Sequence, residues 1–188
     1  MPEESADLAM PAFARWPIFP FVGDLRVRAV EPRQPADRPR SGEPGGGPCG
    51  ACESSDDRYV WVDEHWRVLA PETRPGVPVQ LFLETRDHVD MDGLDLARAG
   101  ELGQLIVRLD RAIQAIGGIG RVHVSRWGDG GSHFHMWFYG RPVGDMQMLG
   151  FCLPMWALIL PPTPDDVWNR NLAIVARELA KDGGRAIA

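Results

Sequence analysis

The stretch from Arg121 to Pro142, RVHVSRWGDGGSHFHMWFYGRP, limits most sharply what this chain can fold into. It reads as strand, tight turn, strand, with the Gly-Asp-Gly-Gly run as the turn. On the second strand His133, His135, Trp137 and Tyr139 alternate with Phe134, Met136 and Phe138. Strand side chains alternate between faces, so both histidines point the same way, one strand step apart. The Phe-Met-Phe face then needs cover from another element. Two imidazoles on one face of a strand buried on both sides are costly unless a metal or a substrate engages them.

The cover is readable upstream. From Asp92 to Gly117 the period becomes helical, with Leu102, Leu105, Ile106, Leu109, Ile113 and Ile116 forming one apolar stripe. Gly117-Gly118 ends it. This helix is expected to lie on the Phe134, Met136 and Phe138 face. Two more strands are predicted before it. YVWVDEHWRVL at 59–69 alternates as a strand, with Asp63-Glu64 as a turn or bulge, and VQLFLET at 79–85 ends just ahead of His88. After the hairpin, Thr163-Pro164-Asp165-Asp166 has the chemistry of a helix start, and the helix should run to about Lys181 before Gly183-Gly184. Cys152, in the apolar run before it, reads as a small buried hydrophobe.

Composition narrows the functional classes. A formal net charge of −6 argues against a protein whose main task is to hold a nucleic-acid backbone. The acidic start, MPEESADLAM, lacks the positive region of a signal peptide. The most apolar run, Met146 to Leu160, is broken by Gly150 and Pro154 and is too short to span a bilayer. A cytoplasmic protein with no membrane partner is expected. Three cysteines in that compartment are not a disulfide framework, and Cys49-Gly-Ala-Cys52 points to metal or redox chemistry. The motif lies between GGGP and ESSDD, which favours a turn presenting two thiolates to zinc over a redox helix. Ahead of it, the island PAFARWPIFPFVGDLRV is too proline-rich for a helix and should lie extended on the domain, burying Trp16, Phe19 and Phe21. EPRQPADRPRSGEPGGGP, from Glu31 to Pro48, reads as a flexible linker.

Together these pieces resemble the histidine-triad (HIT) superfamily, which includes nucleotide hydrolases and galactose-1-phosphate uridylyltransferase. HFHMWFYGRP is similar to that family's His-x-His-x-His strand, with Trp137 in place of the third histidine. YVWVDEHWRVL and VQLFLETRDH resemble its entry strands. The resemblance covers about residues 49–142. It implies an α+β fold, a HIT-like antiparallel sheet with a crossing helix. To this the chain adds an extended N-terminal segment (1–48) and a C-terminal helical extension (143–188).

Carried over position by position, the zinc-containing branch implies a structural Zn2+ held by Cys49, Cys52, His88 and His133, closed and tetrahedral. It makes His135 the nucleophile, attacking the α-phosphorus of a nucleotide or nucleotide-sugar to form a nucleotidyl-histidine. Ser132 and the turn amides at Gly130 and Gly131 would hold the phosphoryl oxygens. Ser125 and Arg141 match substrate-contacting positions, and Trp137 is free to stack on a base or sugar. His123 reads as a wall residue. A homodimer is a further implication of the family. Two alternatives stay open: a catalytically degenerate, zinc-stabilised binding or regulatory protein, and a metalloenzyme in which His133 and His135 ligate one catalytic ion with the cysteines.

Overall fold

The period-two segments become strands of one antiparallel sheet. In the computed structural model, which describes residues 8–188, the elements run in this order. A single helical turn α1 (Gly50–Glu53) precedes β1 (Trp61–Val62), β2 (Trp66–Leu69) and β3 (Val79–Thr85). The long helix α2 (Leu96–Gln114) leads to β4 (Ile119–Ser125) and β5 (His135–Pro142). Helices α3 (Cys152–Ile159) and α4 (Asp165–Ala180) and a short β6 (Arg185–Ala186) complete the chain. The spatial order of the strands is β4-β5-β3-β2-β1-β6. Every neighbouring pair is antiparallel.

Local chemistry accounts for the boundaries. Asp63 turns β1 into β2 by accepting from the backbone N–H groups of His65 (2.8 Å) and Trp66 (2.7 Å). Asp95 caps α2 by accepting from the Arg98 amide at 2.8 Å, a bond of the kind that contributes about 1 kcal/mol. Gly117 and Gly118 both take positive φ, which lets the chain leave α2 and enter β4 at once.

Burial then assigns the two faces. Leu81, Leu83, Val68 and Phe138 are fully buried on the back of the sheet. They pack with Leu105, Leu109 and Ile113 of α2 and with Val175 and Leu179 of α4, and Phe134 and Met136 join the same core. The front is covered only in part. There α3 sets Leu153 and Ala157 against Tyr139, with Trp137 and Trp156 at the margin.

The predicted sheet, crossing helix and C-terminal helix are all present, and β3 falls on the predicted residues. Two elements were not anticipated. Helix α3 tolerates Pro154 because that proline lies in its first turn, where its missing N–H is not needed. Strand β6 is two residues long, and its pairing with β1 depends on α4 delivering it there.

The N-terminal segment departs from expectation at both ends. Trp16 and Phe21 remain about half exposed, at 48% and 47%, so the island is not buried as predicted. It meets α3 and the loop before it. Phe13 and Trp16 stack on Phe151, and Trp156 Nε1 donates to the Ile18 carbonyl at 2.8 Å. The end of the supposed linker is tied down. Arg40 bonds Glu43 and Asp90, and Ser41 forms a bridge with Gly131.

Candidate metal centre and active site

Cys49, Cys52, His88 and His133 converge from three places in the sequence. Cys49 caps the turn α1 and Cys52 lies within it. His88 follows β3, and His133 enters β5 from the hairpin turn. Their donor atoms all lie within 4.8 Å of one another. His133 Nδ1 is 3.4 Å from Cys49 Sγ and 3.5 Å from Cys52 Sγ, and His88 Nδ1 is 3.2 Å from Cys52 Sγ. A tetrahedral zinc with bonds of about 2.3 Å to sulfur and 2.0–2.1 Å to nitrogen spaces such donors about 3.5 Å apart. The cluster is therefore compatible with metal coordination.

The surroundings support the same geometry. His133 Nε2 lies 2.8 Å from the Thr85 carbonyl, which can only accept, so the proton sits on Nε2 and Nδ1 turns its lone pair to the cluster. Burial holds His133 below the usual imidazole range, which keeps it neutral as a ligand must be. His88 Nε2 faces Ser132 Oγ at 3.3 Å, and that hydroxyl in turn donates to the Ser41 carbonyl at 3.1 Å. The buried Arg67 anchors the cysteine turn by donating to the Ala51 carbonyl at 2.9 Å. On their own, two thiolates this close are unfavourable. Burial, and then the neighbouring Cys49, push the Cys52 thiol up to about 11, protons that a cation bound to both sulfurs would displace.

His135 has no place in this cluster. Its Nδ1 is 2.9 Å from the carbonyl of His133, so Nδ1 carries the proton and Nε2 keeps a free lone pair. It is half-buried on the front face. One strand step along, Trp137 stands between Phe82 (ring centroids 4.4 Å) and Trp127 (5.3 Å) and lies parallel to Tyr139 at 6.0 Å. Its buried Nε1 has no hydrogen-bond partner among the described residues. Beside it opens a cavity of about 640 Å³ floored by Leu69, Phe82 and Trp137, with Arg58 and Arg74 at its edge.

No family model matches the chain, and no curated protein matches it. Solved structures do. A histidine triad protein from Bradyrhizobium japonicum superposes with a TM-score of 0.52 at 21% identity, over 64% of this chain and 89% of its own. A histidine triad protein from Marinobacter aquaeolei gives 0.52 at 16%, over 66% and 88%. The chain has the histidine-triad fold. A uridylyltransferase also matches, at TM-score 0.48 and 19% identity over 69% of this chain and 47% of its own, which does not single out a branch of the HIT fold.

Within the HIT fold, the predicted residues divide into those the structure brings together and those it separates. Ser125 is the register partner of Trp137 on β4, so it stands one step from the His135 row. Ser132 is buried and turned to His88, and its amide donates to the Ser41 carbonyl at 3.0 Å. Gly130 likewise gives its carbonyl to the Ser41 amide, and Gly131 pairs with Ser41. The turn is thus capped by the N-terminal segment. Arg141 lies six residues past His135, about 20 Å along the strand. It is buried there, donating to the carbonyls of Pro142 and Asp145. His123 is half-buried and held below the usual imidazole range by burial and by Arg141, as suits a wall residue.

Sequence reading missed three residues of this face: Glu84, Tyr59 and Arg67. Glu84 is the register partner of His135, and its carboxylate Oε2 lies 3.2 Å from Tyr59 Oη. Only the alternation of VQLFLET hinted at it, by placing a charged residue on the same side as Gln80 and Phe82. Among the described residues no helix is long and apolar enough to cross a membrane.

Proposed function

We propose that this protein is a HIT-type nucleotidyl hydrolase or transferase, with His135 as nucleophile and a structural zinc held by Cys49, Cys52, His88 and His133. The observation that carries the reading is the opposite use of two neighbouring imidazoles. His133 spends both nitrogens, one on the cluster and one on the Thr85 carbonyl. His135 spends only Nδ1, and its Nε2 has no partner among the described residues. The cavity itself is lined by Phe82 and Trp137, its neighbours on that face, and not by His135.

Nε2 attacks the α-phosphorus of a nucleotide ester, phosphoramidate or nucleotide-sugar, and the leaving group departs from a nucleotidyl-histidine. Water or a sugar phosphate then resolves the intermediate. The aromatic floor at Phe82 and Trp137 suits a planar base or a sugar, and the unpartnered indole N–H of Trp137 is a donor waiting for a substrate acceptor. Arg58 and Arg74 at the edge are already paired with Glu72 and Asp165, so the aromatic floor and not the rim supplies the recognition. Ser125 is retained as a substrate contact. Ser132 acts in this reading as a positioning residue, holding His88 through its hydroxyl, rather than as a donor to phosphate.

The test is incubation with uridine 5′-phosphate esters, nucleoside phosphoramidates and UDP-sugars, followed by peptide mass analysis. A nucleotidyl adduct on His135, absent in His135→Ala, is the expected result. A second reading, a zinc-stabilised binding protein without catalysis, is favoured by the capping of the hairpin turn by Ser41. Nucleotide binding with no adduct on any of these substrates would decide for it.

A further inference from the structure

Glu84 stands across from His135 in the β3–β5 register and across from Arg67 in the β2–β3 register. Residues paired in this way share a face with Cβ atoms about 4.5–5.5 Å apart, so the Glu84 and His135 side chains leave the sheet side by side, with the carboxylate bonded to Tyr59. Arg67 is committed elsewhere. Its guanidinium lies over the Tyr59 ring at 4.4 Å and donates to backbone carbonyls. Among the described residues Glu84 forms no salt bridge, and its one side-chain partner is Tyr59. Burial drives the Glu84 carboxyl above the usual carboxylate range, although Tyr59, Arg67, His135 and Arg58 all pull the other way. Tyr59 is itself pushed up to about 12, burial first, and so stays a neutral donor. Such a carboxyl keeps a proton at a pH where an exposed one has lost it.

The signature strand, for its part, lacks an acid. Trp137 offers an indole N–H, which donates a hydrogen bond but not a proton. We infer that Glu84 is the general acid of the reaction and supplies the proton the leaving group needs. This rests on the nucleotidyl-transfer reading above. In the first half, the His135 Nε2 lone pair forms the N–P bond while the bond from phosphorus to the leaving oxygen or nitrogen breaks. The electron pair stays on the leaving atom, which takes the Glu84 proton. In the second half, the Glu84 carboxylate removes a proton from water as the water oxygen bonds phosphorus. The N–P bond breaks, and its electrons return to Nε2. Both groups end as they began.

Leaving-group dependence tests this. Full-length wild-type protein, Glu84→Gln and Glu84→Asp are each mixed with the p-nitrophenyl ester of uridine 5′-phosphate, whose leaving group departs unprotonated, and with its methyl ester, whose leaving group does not. The rate of His135 adduct formation is then followed by mass spectrometry. Glu84→Gln is expected to slow the methyl ester by about 100-fold or more and the aryl ester by only about 2- to 5-fold. Glu84→Asp, which keeps an acid, should recover part of the methyl-ester rate. Equal losses on both esters in both variants would overturn the assignment and make Glu84 structural. A wild-type protein that forms no adduct even with the aryl ester would instead strike down the nucleotidyl-transfer reading, and the acid with it.

Discussion

His133 and His135 are two residues apart, the first leading into β5 and the second opening it, yet their environments differ completely. Around His133 the groups that hold the cluster are partnered, although the buried Arg67 Nε is not. Thr85 orients its ring, Ser132 and Ser41 orient that of His88, and Arg67 ties down the cysteine turn. Around His135 partners are sparse. Among the described residues its Nε2 has no partner, the Trp137 N–H is orphaned, and the half-buried Glu84 carboxyl meets one hydroxyl. A saturated polar network makes a rigid anchor, whereas an unsaturated one stores interactions for something yet to bind. On the function proposed above, the first region serves stability and the second chemistry.

Metal removal is the severest test of that contrast. Cys49→Ser and His133→Ala are each expected to lose bound zinc and at least about 3 kcal/mol of stability. For a chain of this length that is a fall in Tm of roughly 6–12 °C. A chelator that strips the wild-type protein should reproduce the fall. His135→Ala should keep one zinc per chain and stay within about 0.5–1 kcal/mol of the parent. Elemental analysis and thermal melts on the same samples read both quantities. Zinc lost equally from the His133 and His135 variants would erase the distinction between the two imidazoles and revive a single site that uses both.

Gly42 sharpens the same contrast from outside the cluster. It sits at φ +90°, and a Cβ added there would lie 2.6 Å from His88 Cε1 and 2.7 Å from Ser132 Oγ. Gly42→Ala therefore combines backbone strain with a clash against the metal side. A loss of about 1–3 kcal/mol is expected, with a loosened His88. Ser132→Ala removes only the hydroxyl that orients His88. It should weaken zinc affinity about 10-fold or more in a competition titration while leaving the unliganded fold nearly as stable. Should Ser132→Ala instead abolish adduct formation at full zinc occupancy, Ser132 would belong to the phosphate site after all.

The legible parts of the molecule were those written in local periodicity or in a motif with fixed spacing. The stripe from Leu102 to Ile116, the alternation about His135 and the Asp165-led C-terminal helix depend on nearest neighbours along the chain, and all three formed. The grouping of Cys49, Cys52, His88 and His133 was legible only through resemblance, since nothing local ties residue 49 to residue 133. What escaped depends on register. Glu84 matters because β3 pairs with β5 in one alignment and not in one slipped by two residues. Ser132 turned to His88 rather than to the front face because Ser41, 91 residues upstream, supplies the carbonyl that holds it. Trp16 and Phe21 stay partly exposed because the rings they meet are Phe13 and Phe151 for the one and Phe19 for the other, near the start of α3 and not in the core. The sequence of α3, CLPMWALI, is apolar nearly all round and shows no helical period to read.

The smallest effect concerns Glu84 and has a sign that can be worked out. Its folded carboxyl binds a proton more tightly than in the unfolded chain, so the folded state is favoured fully below about pH 4.3, the ordinary Glu value. That contribution fades as pH rises through the folded value. Asp56, held below the carboxylate range by its hydrogen bonds from Arg86, acts in the opposite sense and loses its contribution as pH falls. The informative quantity is therefore the difference between variant and parent, in which Asp56 cancels. Glu84→Gln keeps the shape and removes the titration. Its Tm should stand above the parent's at pH 7.5, and the gap should close as pH is lowered toward 4. The reverse pattern, a less stable variant at pH 7.5 whose deficit disappears in acid, would mean a charged carboxylate stabilised by Arg67 and Tyr59. A carboxylate has no proton to give, and the poorly partnered region beside His135 would then be as saturated as the one beside His133.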